Sequence, residues 1–205
     1  MTPHYWNDAK KHLLIGDKIL GKIISSYHGE FLTVRGDAFF TLARSIVGQQ
    51  ISVKAADTIW GKFANRLGDV TPKNTIKAAE ANLRECGLSA QKVRYLHGLA
   101  EHFMENETHI KNWDKLSDEE IIKELTSLNG IGRWTAEMFM IFHLARPDIL
   151  PLADIGLQKA IFRHYNNSEK MTLAEIFELA QKWKPYRSVA TWYLWRSLDP
   201  VPVSY

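Results

Sequence analysis

The chain is 205 residues long, 45% hydrophobic and 24% charged, with a formal net charge of +3, a composition typical of a water-soluble protein with a buried core. No apolar run reaches the roughly 20 residues of a membrane-spanning helix, and the N-terminal segment lacks a secretory signal pattern, so we expect a cytoplasmic protein. The single cysteine, Cys86, excludes an internal disulfide and a four-cysteine iron–sulfur cluster. No His-x-x-x-His or Cys-x-x-Cys spacing indicates a zinc site.

The first part of the chain predicts four helices. Two lie within residues 5–27 and meet at Gly16-Asp17. A third, apolar over residues 39–47, ends in the polar turn Gly48-Gln49-Gln50, and a fourth begins at Ile51-Ser52. Taken alone, this turn is a plain connection in which Ser52 is the N-cap of the following helix.

The middle of the chain continues with helical patterns. A helix is predicted over residues 71–83, with proline at its first helical position, and Ser89 caps the next one. Lys92 and Arg94 lie on the exposed side of that helix, where we expect solvated charges with at most a minor phosphate contact. Residues 105–116 are polar and are predicted to be a linker.

Residues 117–146 predict two helices joined by a tight turn. Ser117-Asp118-Glu119-Glu120 has the form of a capping box, and the first helix should stop at Asn129-Gly130, because both residues tolerate positive φ. The second helix then begins at Gly132 or Arg133. Glycines let the backbone amides of such a turn approach a phosphate. Taken alone, however, this turn favours a plain helical pair without a ligand.

One acid, Asp154, follows in an apolar setting at the start of another helix. It could simply be an N-cap, or it could be a carboxylate that stabilises a cation or activates water. Thr172 opens a second capping box, and a last helix is predicted over residues 187–197. Neither repeats nor strand patterns occur, so the sequence predicts an all-α fold.

Four features together resemble one known family. They are the hairpin LNGIGRWTA at residues 128–136, Asp154 22 residues after Gly132, VGQQIS at residues 47–52 and WKPYRS at residues 183–188. The chain resembles the helix-hairpin-helix (HhH-GPD) DNA glycosylases and, within them, the alkylated-base branch (3-methyladenine DNA glycosylase II). The resemblance covers most of the chain and implies a single domain over residues 1–205, with two helical lobes and a DNA-binding cleft between them.

The resemblance also implies roles for individual residues. Asp154 would be the catalytic carboxylate, and Gln50 would enter the minor groove as a wedge that fills the gap left by the flipped nucleotide. An electron-rich indole stacks well on a cationic alkylated purine. The implied DNA-binding residues are Gln49, Gln50, Ser52, Gly130, Gly132, Arg133 and Thr135, and the implied base pocket is formed by Trp134, Met138 and Trp195.

Trp134 occupies the hairpin position at which strand-cleaving relatives carry a Schiff-base lysine. The resemblance therefore implies a monofunctional hydrolase without lyase activity, acting as a monomer on double-stranded DNA that contains alkylated bases, in the cytoplasm and at the nucleoid. It implies no cofactor and no catalytic metal, apart from a monovalent cation that such hairpins often hold on their backbone. Two alternatives stay open: a non-catalytic DNA-binding module, and a glycosylase for oxidised or mismatched bases.

Overall fold

The computed structural model describes residues 2–34 and 36–198, and within these ranges the chain is helical, with no β-strand. The all-α prediction is therefore confirmed for the described residues. The α-helices, in chain order, are α1 (Trp6–Gly16), α2 (Lys18–Ser26), α3 (Ala38–Gly48), α4 (Val53–Leu67), α5 (Pro72–Lys77), α6 (Glu80–Glu85), α7 (Ala90–Glu105), α8 (Glu107–Ile110), α9 (Asp118–Ser127), α10 (Arg133–Phe142), α11 (Ile155–Tyr165), α12 (Leu173–Leu179) and α13 (Arg187–Arg196).

Several helix starts are explained by local side-chain caps, as predicted. Ser52 accepts a hydrogen bond from the Ala55 amide at the start of α4. Capping boxes open α9 at Ser117 and α12 at Thr172, where the serine or threonine and a glutamate three residues later bond reciprocally to the backbone. These caps satisfy amides that have no partner within the helix.

Three predicted elements differ from the structure. The helix predicted over residues 71–83 is two short helices, because the backbone is extended at Ala78 and Ala79 although alanine favours a helix; packing has overridden local propensity there. Residues 105–116 are not a plain linker: they contain α8 and a 3-10 helix that buries Trp113. Helix α10 ends at Phe142 and not near residue 146, because Ala145 adopts a positive φ and Pro147 disfavours helix at the residue before it.

The chain forms two compact units, which we name after their central helices. The α7 unit comprises residues 36–139, and the α13 unit comprises residues 2–34 and 140–198. The boundary falls within α10. The single domain over residues 1–205 and the cleft between lobes stay predictions.

In the α7 unit, α7 packs against α3, α5 and α6. A series of edge-to-face aromatic contacts links its layers: Phe39 with Phe103, Phe103 with Trp113, and Trp113 with Phe139, at centroid distances of 5.5–5.8 Å. Such pairs favour one packing arrangement beyond the burial of their area. Cys86 is buried at the end of α6.

In the α13 unit, α13 packs against α1, α2 and α11, and every residue of Ser188–Arg196 is buried. The one charged residue of that stretch, Arg196, bonds to Glu30 through Nε and Nη2 at 2.5 and 3.0 Å. Because a buried guanidinium is costly unless it is paired, this ion pair makes the burial of α13 possible.

A second buried charge of the α13 unit is Asp17, the N-cap of α2. Its Oδ1 accepts hydrogen bonds from the amides of Ile19 and Leu20, and its Oδ2 accepts from Trp183 Nε1, Tyr165 Oη and Lys182 Nζ at 2.6–3.0 Å. Burial acts to raise the pKa of Asp17, but the hydrogen bonds from Trp183, Tyr165, the Leu20 amide and Lys182 together hold it below its usual value. Asp17 thus ties α2 to the last third of the chain.

We expect Asp17→Asn to lower the free energy of unfolding by about 1–3 kcal/mol at neutral pH, because an amide cannot satisfy all five donors. A lowered carboxyl pKa stabilises the fold above the pKa of the unfolded state, and this contribution is lost as the pH falls through the folded-state pKa. Urea unfolding should therefore show the difference between the two proteins narrowing below about pH 4. A difference that stays constant on acidification would contradict this assignment.

Candidate active site

The hairpin between α9 and α10 has the predicted turn. Helix α9 ends at Ser127, the Ile131 amide donates to the Leu128 carbonyl at 3.1 Å, and Gly130 has a φ of +90°. Ile131 is buried and anchors the turn. Helix α10 begins at Arg133, one of the two predicted starts, so its first amides follow the turn directly.

The two glycines of the hairpin differ in their surroundings. A Cβ on Gly130 would overlap the ring of Tyr95 on α7, lying 2.6 Å from its Cγ, whereas a Cβ on Gly132 would meet nothing within 4 Å. Gly130 is therefore required by both its backbone conformation and its packing. At Gly132 the backbone is open, as a phosphate contact would need.

The turn after α3 carries the predicted wedge. Gln50 is exposed and has a φ of +58°, a conformation that is uncommon for a residue with a side chain. Gln49 is half-buried, and its Nε2 donates to the Gly130 carbonyl at 2.8 Å. The wedge turn and the hairpin are therefore joined directly within the α7 unit.

Lys92 is not the solvated charge that the helical pattern predicted. Its Nζ donates to the carbonyls of Val47 and Gln49, at 2.8 Å each. Burial lowers the pKa of this ammonium group, and the two carbonyls lie at the end of α3, where a helix dipole favours a cation. The hydrophobic periodicity of α7 could not reveal this role, because it shows which side of the helix is polar and not which other segment packs against that side.

The remaining predicted DNA-binding residues have structural partners or are buried. Ser52 is the N-cap described above. The Arg133 guanidinium bonds to Glu119 and Glu137, at 2.8 and 3.2 Å, and Thr135 is only 6% exposed. Their contacts with DNA, like those of Gln49, Gln50, Gly130 and Gly132, stay predictions.

The predicted catalytic acid lies in the α13 unit. Asp154 is buried, and its Oδ1 accepts hydrogen bonds from the Leu157 amide at 2.6 Å and from Trp195 Nε1 at 2.8 Å. It is therefore the N-cap of α11, and the capping role does not exclude a chemical one. Two donors from separate helices fix the orientation of this carboxylate.

Trp195, one of the predicted pocket residues, contacts both Asp154 and Phe142. Besides donating to Asp154, its ring stacks on Phe142 at a centroid distance of 6.0 Å and an angle of 12°. Trp134 is 36% exposed and Met138 is buried. The base-stacking roles of these residues stay predictions, and for Trp195 the structure adds the orientation of Asp154.

Gly156 is a residue of this site that sequence reasoning missed. A Cβ there would lie 3.2 Å from Asp154 Oδ1 and 3.3 Å from Trp195 Cδ1. The glycine therefore leaves room for the hydrogen bond between the indole and the carboxylate. A glycine in the first turn of a helix, two residues after a candidate acid, was the signal available in the sequence.

Comparison with known proteins decides the family. Residues 43–185 match the family described as HhH-GPD superfamily base excision DNA repair protein. The match covers more than half of the chain, from the middle of α3 to the segment before α13.

The chain belongs to the HhH-GPD superfamily. Among its HhH-GPD relatives, the alkylbase DNA glycosidase-like protein mag2 of Schizosaccharomyces pombe is 32% identical over 92% of each chain. The crystal structure of a DNA-3-methyladenine glycosidase from Bacillus halodurans is similar with a TM-score of 0.85 and 32% identity, over 92% of this chain and 88% of that one. The S. pombe 3-methyladenine DNA glycosylase Mag1, solved in complex with abasic DNA, gives a TM-score of 0.78 and 28% identity, over 97% and 100%.

Within residues 2–34 and 36–198 of this HhH-GPD chain, no group of three or more His, Cys, Asp or Glu side chains could hold a metal ion. None of the helices in these ranges combines the length and the apolar character that crossing a membrane requires.

Proposed function

We propose that this protein is a monofunctional DNA glycosylase that hydrolyses the N-glycosidic bond of alkylated purines, such as 3-methyladenine and 7-methylguanine, in duplex DNA. This reaction is the first step of base excision repair. The observation that carries the proposal is Asp154, held by the Leu157 amide and the Trp195 indole at the position that the family motif assigns to the catalytic acid. The names of the HhH-GPD relatives support the alkylated-base branch.

The chemistry requires little beyond one oriented carboxylate. An alkylated purine leaves readily, because its departure removes the positive charge of the ring. The transition state then resembles an oxocarbenium ion, which a carboxylate stabilises through its charge, and the same group can accept a proton from the attacking water. Asp154 serves both purposes in this proposal.

Access to the bond requires that the nucleotide leave the duplex, at a cost of a few kcal/mol that is smaller at a damaged pair. In the proposed complex the open backbone at Gly132 approaches a phosphate, and Gln50 occupies the gap in the stack. Contacts to phosphate hold the duplex without reading its sequence. The protein acts as a monomer in this scheme.

The hairpin supports hydrolysis without strand cleavage. Cleavage of the DNA strand by a glycosylase needs an amine that attacks the sugar to form a Schiff base. The corresponding residue is Trp134, which has no amine. An abasic site should therefore be the final product.

The proposal is tested with duplexes that each carry one defined lesion: an alkylated purine, an oxidised purine or a mismatch. Each duplex is incubated with the protein, and the sample is then split into two portions. One portion is treated with alkali and the other is not, and both are analysed for strand breaks by electrophoresis. Breaks in the alkylated duplex only after alkali treatment would indicate abasic sites and support a monofunctional glycosylase. Breaks without alkali would contradict the absence of lyase activity. Cleavage confined to oxidised or mismatched duplexes would overturn the alkylpurine specificity, and binding without any abasic site would favour a non-catalytic module.

Trp195→Phe should lower the rate constant of base release by about tenfold, because it removes a hydrogen bond to a charged group and keeps most of the ring. Single-turnover kinetics with saturating protein would measure this effect. The chain offers a matched control, since Trp183 donates to Asp17 as Trp195 donates to Asp154. Trp183→Phe should lower stability and leave the rate constant unchanged, and equal rates for Trp195→Phe and the wild type would contradict the orienting role.

A further inference from the structure

Three segments of the α7 unit meet around one lysine and one glutamine. They are the wedge turn at residues 48–51, the hairpin turn at residues 128–132 and the first half of α7. Lys92 of α7 bonds to the carbonyls of Val47 and Gln49. Gln49 bonds in turn to the carbonyl of Gly130. Its backbone is therefore held from one side by α7, while its side chain holds the hairpin.

Helix α7 also contacts the hairpin directly. The ring of Tyr95 lies so close to Gly130 that no side chain fits there, and the Tyr95 hydroxyl is bonded to Gln91 one turn earlier. Residues 91–95 thus touch both turns. Because a helix is stiff over this length, the distance between the two turns is fixed by α7.

The wedge residue itself has an uncommon backbone. Gln50 has a φ of +58°, and such conformations persist where the surroundings over-determine them. On its N-terminal side, the anchors are the two bonds from Lys92 and the bond from Gln49 to Gly130. On its C-terminal side, Ser52 caps α4. The exposed side chain of Gln50 is therefore presented on a backbone held at both ends.

We propose that Lys92 and Gln49 are positioning residues that hold the wedge turn and the hairpin as one rigid DNA-contacting surface. Gln50 then enters the duplex at a fixed distance from the phosphates bound by the hairpin. The free energy of DNA binding offsets the cost of opening a base pair best when Gln50 and the hairpin contact the DNA together. A loop that had to become ordered on binding would reduce that free energy, and a turn that is already rigid avoids this cost. This inference deepens the proposed function and rests on it.

The test compares one lesion in two settings, paired in a duplex and unpaired in a small bubble. Lys92→Met keeps the length of the side chain and removes its donors. The single-turnover rate constant of base release from the paired lesion should fall by about 10-fold to 100-fold, because a small misplacement of a contacting group can lower a rate by that much. Release from the bubble should change by no more than about twofold, because no pair has to be opened there. Gln49→Leu should show the same pattern.

Two further variants separate positioning from folding and from charge. Lys62→Met removes a positive charge from an exposed position on α4 and should leave both rates unchanged. In a Gln50→Ala background, Lys92→Met should have little additional effect on the paired lesion, because both changes act through the same side chain. Equal losses on paired and unpaired lesions, or additive losses with Gln50→Ala, would overturn the positioning role.

A readout without catalysis keeps this inference separate from the proposed function. A 2-aminopurine next to the lesion becomes fluorescent when the protein opens the stack. At saturating protein, Lys92→Met should give a smaller increase than the wild type, whereas Lys62→Met should match the wild type. A wild type that opens the stack but releases no base would overturn the proposed function alone, and identical fluorescence for wild type and Lys92→Met would overturn the positioning role.

Discussion

Asp154→Asn should reduce base release from alkylated duplex DNA by at least about 100-fold, because the variant loses the charge that stabilises the sugar cation and the base that activates water. The loss should appear in the single-turnover rate constant at saturating protein. Affinity for duplex DNA should stay within about twofold of the wild type, since phosphate contacts hold the duplex and this residue is assigned to the chemistry.

The fold should tolerate this change. Asparagine caps helices about as well as aspartate, and its side-chain oxygen can accept the same bonds from the Leu157 amide and the Trp195 indole. We expect the free energy of unfolding to change by less than about 1 kcal/mol. A parallel loss of activity, binding and stability would show that Asp154 only caps α11.

Asp17 provides the matched control for Asp154. Each is a buried N-cap that accepts a hydrogen bond from a tryptophan indole, and both lie in the α13 unit. Asp17→Asn should therefore lower stability and leave the rate constant of base release unchanged at temperatures at which the variant is folded. The two variants together separate the loss of a carboxylate from the loss of a cap.

Gly130→Ala should have the largest effect on the hairpin. Alanine at a φ of +90° costs about 1–2 kcal/mol, and the overlap with the Tyr95 ring adds about 1–3 kcal/mol. We therefore expect a clear drop in the urea midpoint and weaker binding to alkylated and undamaged duplexes alike, because the hairpin is assigned to phosphate contacts. Weakening that depended on the sequence around the lesion would contradict this assignment.

Gly132→Ala is the control for the hairpin. Its Cβ would meet no atom within 4 Å and its φ is not positive, so stability should stay within about 1 kcal/mol of the wild type. Any loss of DNA affinity in this variant then reports the close approach of DNA to the hairpin backbone. Affinity equal to that of the wild type would place the phosphate contact elsewhere.

Features determined by a few neighbouring residues were predictable from the sequence. The capping boxes at Ser117 and Thr172, the caps at Ser52 and Asp154 and the positive φ of Gly130 depend on side chains and backbone within one helical turn. The family motif then assigned chemistry to Asp154, which the capping position alone could not do.

Features that join distant parts of the chain were not predictable in this way. Trp195 donates to Asp154 across 41 residues, and Gln49 donates to Gly130 across 81. Lys92 was assigned to solvent because its helix is polar on that side, yet it meets the end of α3. Periodicity identifies the exposed side of a helix, whereas the partner of that side depends on tertiary packing.

The measurement that tests the central claim most directly is chromatography of the free bases released from methylated duplex DNA by the wild-type protein and by Asp154→Asn. We predict free 3-methyladenine or 7-methylguanine with the wild type and none above background with the variant, with both proteins folded and bound to the DNA. Equal release by the two proteins, or no alkylated base from a wild type that binds the duplex, would contradict the account.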